Sequence, residues 1–181
     1  MSFVKRAIGL LCAAAISSCG GTYDDLRPSG EDLRPQASSG EASATSKAAD
    51  FTLSDTLGRS VNLYETLATG KGVVLYFTMW CPICAAHMDH MLNNVTPLFP
   101  DIRFFLVDYV SGTVQGARGE EVSNGYSGTA FTTLVDSNGA LLGSYGATMG
   151  TTVVIASDGE IVMNEDYKDG KALTAALEGL Q

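Results

Sequence analysis

Val73-Val74-Leu75-Tyr76-Phe77-Thr78-Met79-Trp80-Cys81-Pro82-Ile83-Cys84 is the stretch on which the reading of this chain turns. Its first five residues are β-branched, aromatic or leucine, the make-up of a buried strand. Beyond Cys84, residues 85–96 have helical spacing, and Pro97 is expected to end that helix. The stretch therefore reads as a strand, a tight turn and a helix carrying two thiols at its N-terminus. Unpaired backbone N–H groups and the helix dipole favour a thiolate there. A thiolate is the nucleophile of disulfide exchange, and a second cysteine three residues on can resolve the mixed disulfide. Pro82 and Ile83 shape the turn between the thiols, and Trp80 offers a flat apolar contact beside them.

The chain has 181 residues, 45 % of them hydrophobic, enough for one domain with one good core. Lysine and arginine number 11 against 20 acidic residues, a net charge of −9. That balance carries no nucleic-acid signature and argues against a polybasic grip on anionic lipid. At the N-terminus, Lys5 and Arg6 precede a short apolar run over residues 7–16, too short to remain as a bilayer-spanning anchor. The run ends in Ile16-Ser17-Ser18-Cys19, which resembles the lipobox of bacterial lipoproteins. That resemblance implies a signal peptide over residues 1–18, lipid on Cys19, and export to a membrane facing the periplasm or the outside. Gly20 is not the Asp that retains some lipoproteins at an inner membrane, so attachment to an outer membrane is favoured where there are two. Residues 19–47 are rich in Gly, Ser, Pro, Asp and Glu and read as a flexible tether, leaving residues 48–181 to fold.

Of the four cysteines, Cys12 leaves with the signal and Cys19 carries lipid, so Cys81 and Cys84 remain as the thiols. A bridge between them closes a tiny loop and constrains little of the unfolded chain. The pair is a poor staple, and redox or metal chemistry explains it better.

Along the folding part, residues 50–53 and 60–63 flank a turn and read as an N-terminal β-hairpin. A short helix is expected over 63–67, strands over 102–107 and 131–135, and a helix over 114–124 weakened by Gly116 and Gly119. A second hairpin covers 151–156 and 160–164, and a helix over 171–180 closes the chain. Alternating elements followed by a late hairpin predict an α/β domain with a mixed central sheet flanked by helices.

Residues 50–63 resemble the opening signature of the redoxin group, and residues 73–84 resemble the strand and W-C-P-x-C site of TlpA-like and ResA-like thiol–disulfide oxidoreductases. These are membrane-tethered members of the thioredoxin superfamily. The resemblance implies a thioredoxin-like fold with the added hairpin, no cofactor beyond a redox-active disulfide, and exchange with protein thiols and disulfides and with a membrane or periplasmic redox partner. It also implies that Cys81 is the exposed attacking thiol and Cys84 the buried resolving one. Two positions depart from the family pattern. Met149-Gly150 stands where these proteins carry a cis-proline facing the sulfurs, and Leu75 stands where thioredoxins carry a buried carboxylate.

Two rival chemistries use the same residues. Cys81, Cys84, His87 and Met149 could bind Cu(I) in a copper-binding or copper-delivery protein, since soft sulfur ligands suit that ion. Steps of three along a helix drift by about 60° each, however, so Cys81 and His90 should not reach one ion. Residues 77–82 also resemble the F-T-x-x-C-P run of peroxiredoxins, where Thr and an Arg bind peroxide. Val74 stands in place of that family's upstream proline, and Arg103 and Arg118 are the available cations.

Overall fold

The structure is a computed structural model and describes residues 46–181. The expected signal peptide, the Cys19 lipidation site and all but the last residues of the tether lie outside the described residues. Among the described residues, seven strands form one mixed sheet: β1 Thr52–Asp55, β2 Ser60–Asn62, β3 Gly72–Thr78, β4 Ile102–Asp108, β5 Phe131–Val135, β6 Thr151–Ala156 and β7 Ile161–Asp166. Their order across the sheet is β2-β1-β5-β4-β3-β6-β7. β3 runs parallel to β4 and antiparallel to β6, and β4 runs parallel to β5. The helices are α1 Leu63–Leu67, α2 Pro82–His90, α3 Val114–Ser123, α4 Ala140–Ser144 and α5 Lys171–Glu178.

All seven residues of β3 are buried because both faces of the sheet are covered, which is why the strand reads as an unbroken apolar run. Side chains alternate between two cores. Val74 and Tyr76 point into the core that holds Cys84, Met88 and Met91 together with Leu173 and Leu177 of α5. Val73, Leu75 and Phe77 point into the other, against Leu63 and Leu67 of α1, Leu141 of α4 and Tyr145. The period of two thus decides that Tyr76, and not Leu75, shares a core with the buried thiol.

Three local features differ from the sequence-based expectations. Pro97 does not end the helix after the cysteines. α2 widens into a π-helical turn at Met91–Val95, and a 3-10 turn over Thr96–Leu98 then takes Pro97 in its first positions, where a missing N–H costs nothing. The residues after the turn at 136–139 form α4, a single short helix. Contacts also begin ahead of residue 48. Lys47 bridges to Glu160, and Ile161 N–H donates to the Ser46 carbonyl at 3.0 Å.

Candidate active site

β3 delivers the site. Its last residue, Thr78, is followed by Met79, Trp80 and Cys81, and Cys81 is the N-cap of α2. The N-cap backbone is extended, the Cys84 N–H donates to Cys81 Sγ at 3.3 Å, and Pro82 fills the first helical position. That is the arrangement by which a capping side chain satisfies an orphan N–H, here with sulfur as acceptor. The two thiols are free and their sulfurs lie 2.9 Å apart. Cys81 is half-buried, while Cys84 has no exposed surface.

The thiols titrate as one unit, because the proton between them is shared. Burial opposes ionisation of Cys84. The hydrogen bond from Cys81, backbone contacts to Met79 and Cys81, and the Thr78 hydroxyl together outweigh it and hold Cys84 below its ordinary value. Burial and the same shared proton push Cys81 up. The negative charge is thus formed between two sulfurs in contact, and only one of them can be approached from outside.

Around the pair, Pro82 and Ile83 are exposed, as is Met79, and Trp80 is half-buried. Trp80 has φ +59, in the left-handed region, where a non-glycine residue pays about 1–2 kcal/mol. Two bonds hold it there. Its backbone N–H donates to Thr78 Oγ1 at 3.1 Å, and its indole N–H donates to Asp108 Oδ2 at 2.8 Å. Asp108 is fully buried and also accepts from Val110 N–H, Ser111 N–H and the Ser111 hydroxyl, at 2.9, 2.9 and 2.5 Å. The sequence reading missed Asp108 as an anchor for Trp80. The available signal was an acid closing an apolar strand, since the C-terminal ends of parallel strands converge on one site; Asp108 is paired with Thr78 across the sheet.

Met149 packs against the core that holds the cysteines. Gly150 has φ +87, and every described peptide bond is trans. Its N–H donates to the Phe77 carbonyl at 2.9 Å, and its own carbonyl accepts from Tyr167 N–H at 2.8 Å. Backbone hydrogen bonds at Gly150, in the left-handed region, therefore pin the Met149-Gly150 segment to β3 and to Tyr167.

His87 is one helical turn beyond Cys84. Its Nδ1 is hydrogen-bonded to the Tyr76 hydroxyl at 3.0 Å, and its ring packs at 4.8 Å on Tyr167. Burial, and then the nearby His90, lower its pKa. His90 bonds through Nδ1 to the Tyr167 hydroxyl at 2.6 Å. Among the described residues, no group of three or more His, Cys, Asp or Glu side chains is disposed to hold a metal ion. The cations weighed for a peroxide site lie elsewhere. Arg118 pairs with Glu121, and Arg103 sits beside Val73 at the far end of β3, roughly 17 Å from the Thr78 end.

The Redoxin family profile matches residues 43–174. The chain belongs to the Redoxin family. As a Redoxin protein with a paired thiol at a helix N-terminus, it is a thiol–disulfide oxidoreductase. No curated protein matches the chain. Solved structures share the thioredoxin-like fold of this Redoxin domain. A proposed thiol:disulfide interchange protein DsbE from Chlorobium tepidum is 22 % identical with a TM-score of 0.63, covering 75 % of this chain and 96 % of its own. A proposed protein disulfide isomerase from Bacteroides thetaiotaomicron is 19 % identical with a TM-score of 0.63, covering 75 % and 88 %. Peroxidoxin BcpB from Mycobacterium tuberculosis is 22 % identical with a TM-score of 0.59, covering 76 % and 97 %.

Proposed function

We propose that this protein is a TlpA/ResA-like, lipid-anchored oxidoreductase that exchanges disulfides with extracytoplasmic protein partners through Cys81 and Cys84. The observation that carries the reading is the contrast between the two sulfurs: 2.9 Å apart, one half-buried at a helix N-cap and one fully buried. Proton exchange across that contact lets the charge reach Cys81, the sulfur a partner's disulfide can approach in line. Cys81 thiolate attacks and the partner leaves one sulfur as thiolate, giving a mixed disulfide. Cys84 then attacks Cys81 Sγ, the bond to the partner breaks, and the partner departs reduced while the Cys81–Cys84 disulfide forms. The reverse sequence oxidises a partner dithiol. A redox-active disulfide suffices, and no bound cofactor takes part.

Trp80, Ile83 and Met79 give the partner an apolar surface beside the reactive sulfur, with Pro82, Met149 and Gly150 fixing its shape. The lipobox-like Ile16-Ser17-Ser18-Cys19 supports anchoring through lipid on Cys19 and a location facing the periplasm or the outside. A membrane or periplasmic redox partner then recharges the pair. Cys84→Ser should accumulate mixed disulfides with partner proteins in intact cells, and Cys81→Ser should accumulate none and lose exchange. Full exchange in Cys81→Ser would sink the mechanism. Fatty-acid labelling that persists in Cys19→Ser would sink the anchor.

A further inference from the structure

Resolution of the mixed disulfide poses a problem that the resting pair does not. Once Cys81 is bonded to a partner it has no proton to share, so Cys84 loses the hydrogen bond that favours its thiolate and keeps all of its burial. Cys84 must still lose a proton to attack. In this chain the position of the thioredoxin carboxylate is Leu75, which points into the opposite core. Tyr76, its neighbour, points into the core of Cys84.

We propose that Tyr76 and His87 form a proton relay that serves the buried Cys84 thiol during resolution of the mixed disulfide. Cys84 and His87 are three residues apart on α2 and so share a face, and the Tyr76 hydroxyl reaches across from β3 to His87 Nδ1 at 3.0 Å. Tyr76 and Cys84 lie buried in the same core, and after burial the Cys84 charge is the largest influence on the Tyr76 hydroxyl. Half-buried His87 connects this interior to solvent. Among the described residues no hydrogen bond reaches its Nε2, and burial together with His90 favours its neutral, proton-accepting form. The proton count closes. The Cys84 thiol gives its proton to the Tyr76 oxygen as the Tyr76 hydroxyl proton passes to His87 Nδ1, and His87 releases a proton from Nε2 to solvent. Cys84 thiolate then attacks Cys81 Sγ, and the departing partner thiolate takes up a proton outside. The other ionisable groups facing His87 are Tyr167 after β7 and His90 on α2, with Asp169 acting on Tyr167 and Cys81 on Tyr76. The inference rests on the dithiol mechanism proposed above.

The test is stopped-flow reaction of the reduced full chain with an aromatic disulfide, with Cys12 and Cys19 replaced by serine. The reagent is reduced and the protein dithiol oxidised, so one aryl thiolate leaves when Cys81 attacks and a second when Cys84 resolves. Tyr76→Phe and His87→Ala should slow the second release about 100-fold near neutral pH relative to the first. The difference should vanish at alkaline pH, where hydroxide deprotonates Cys84 directly, and added imidazole should restore His87→Ala. His87 is half-buried, so its variant tests the relay even if Tyr76→Phe loses stability. A second release that is unchanged, or slowed equally at every pH, would overturn the relay. Failure of the unaltered protein to release either thiolate would instead overturn the dithiol reading itself.

Discussion

Replacing Asp108 by alanine removes the acceptor of four donors at once: the Trp80 indole, the backbone N–H groups of Val110 and Ser111, and the Ser111 hydroxyl. A hydrogen bond to a charged group contributes about 1.5–3 kcal/mol. Val110 is exposed and Ser111 half-buried, so their donors can turn to water, whereas the indole N–H and the buried end of the turn cannot follow as freely. Counting the equivalent of one to two lost bonds gives a destabilisation of about 3 kcal/mol, a large share of a typical domain's stability. Trp80 would also lose one of the two bonds that hold it in its left-handed conformation, and its indole should relax away from the site. Because Trp80 is the sole tryptophan of the chain, its fluorescence reports on the site directly. Denaturant unfolding should show the loss of stability, and the folded variant should show redder emission with easier quenching by acrylamide. Asp108→Asn keeps the shape and one acceptor oxygen and should lie between the two. A change below about 0.5 kcal/mol, the size of an ordinary surface substitution, with unaltered emission would refute the anchoring role of Asp108.

Glu121 is buried between the Thr56 and Thr133 hydroxyls, at 2.8 and 3.1 Å, and is paired with Arg118. Arg118→Ala should therefore cost more than an exposed ion pair is worth, about 2 kcal/mol in chemical denaturation, because it leaves a buried charge without its cation. Gly170→Ala puts a Cβ 2.8 Å from both the His90 ring and the Tyr167 hydroxyl at φ +79, so it should cost clearly more than Gly125→Ala, which has φ +80 and open space around it. Gly125→Ala should show only the left-handed strain of about 1–2 kcal/mol in the same assay. His87 has a folded pKa below its ordinary value of 6.5, so the unfolded chain binds its proton first as pH falls. Its contribution to stability is full above that value and is lost as pH drops through it toward the folded pKa. His87→Gln should flatten the stability profile across that window, and an unchanged slope would contradict the burial of this ring.

What the sequence revealed and what it withheld divide along one line. The paired thiols, the strand before them and the helix after them are contiguous in the chain, and their spacing is itself the signal. The strands at 102–107, 131–135 and 151–156 were legible because near-complete burial leaves them made mostly of apolar and β-branched residues. The partners of the site were not legible. Asp108 meets Trp80 across 28 residues, and Tyr76 meets His87 because a strand and a helix face each other in one core. Within its strand Tyr76 reads as one more apolar residue, and only the sheet's alternation assigns it to the thiol side. His87 was legible only as a candidate copper ligand, since nothing local shows a hydroxyl arriving from β3. The π-helical turn escaped for a similar reason. Pro97 is a sound stop signal locally, but the buried side chains of Met91 and Val95 carry the helical path onward to it.

The measurement that tests the central claim most directly is a redox titration of the full chain in glutathione and dithiothreitol buffers, with metals chelated and thiols read by alkylation and mass. The dithiol account predicts one reversible two-electron transition confined to Cys81 and Cys84, between about −300 and −120 mV, and its position gives the direction in which the protein works. If no reversible Cys81–Cys84 disulfide forms anywhere in that range, the account is wrong.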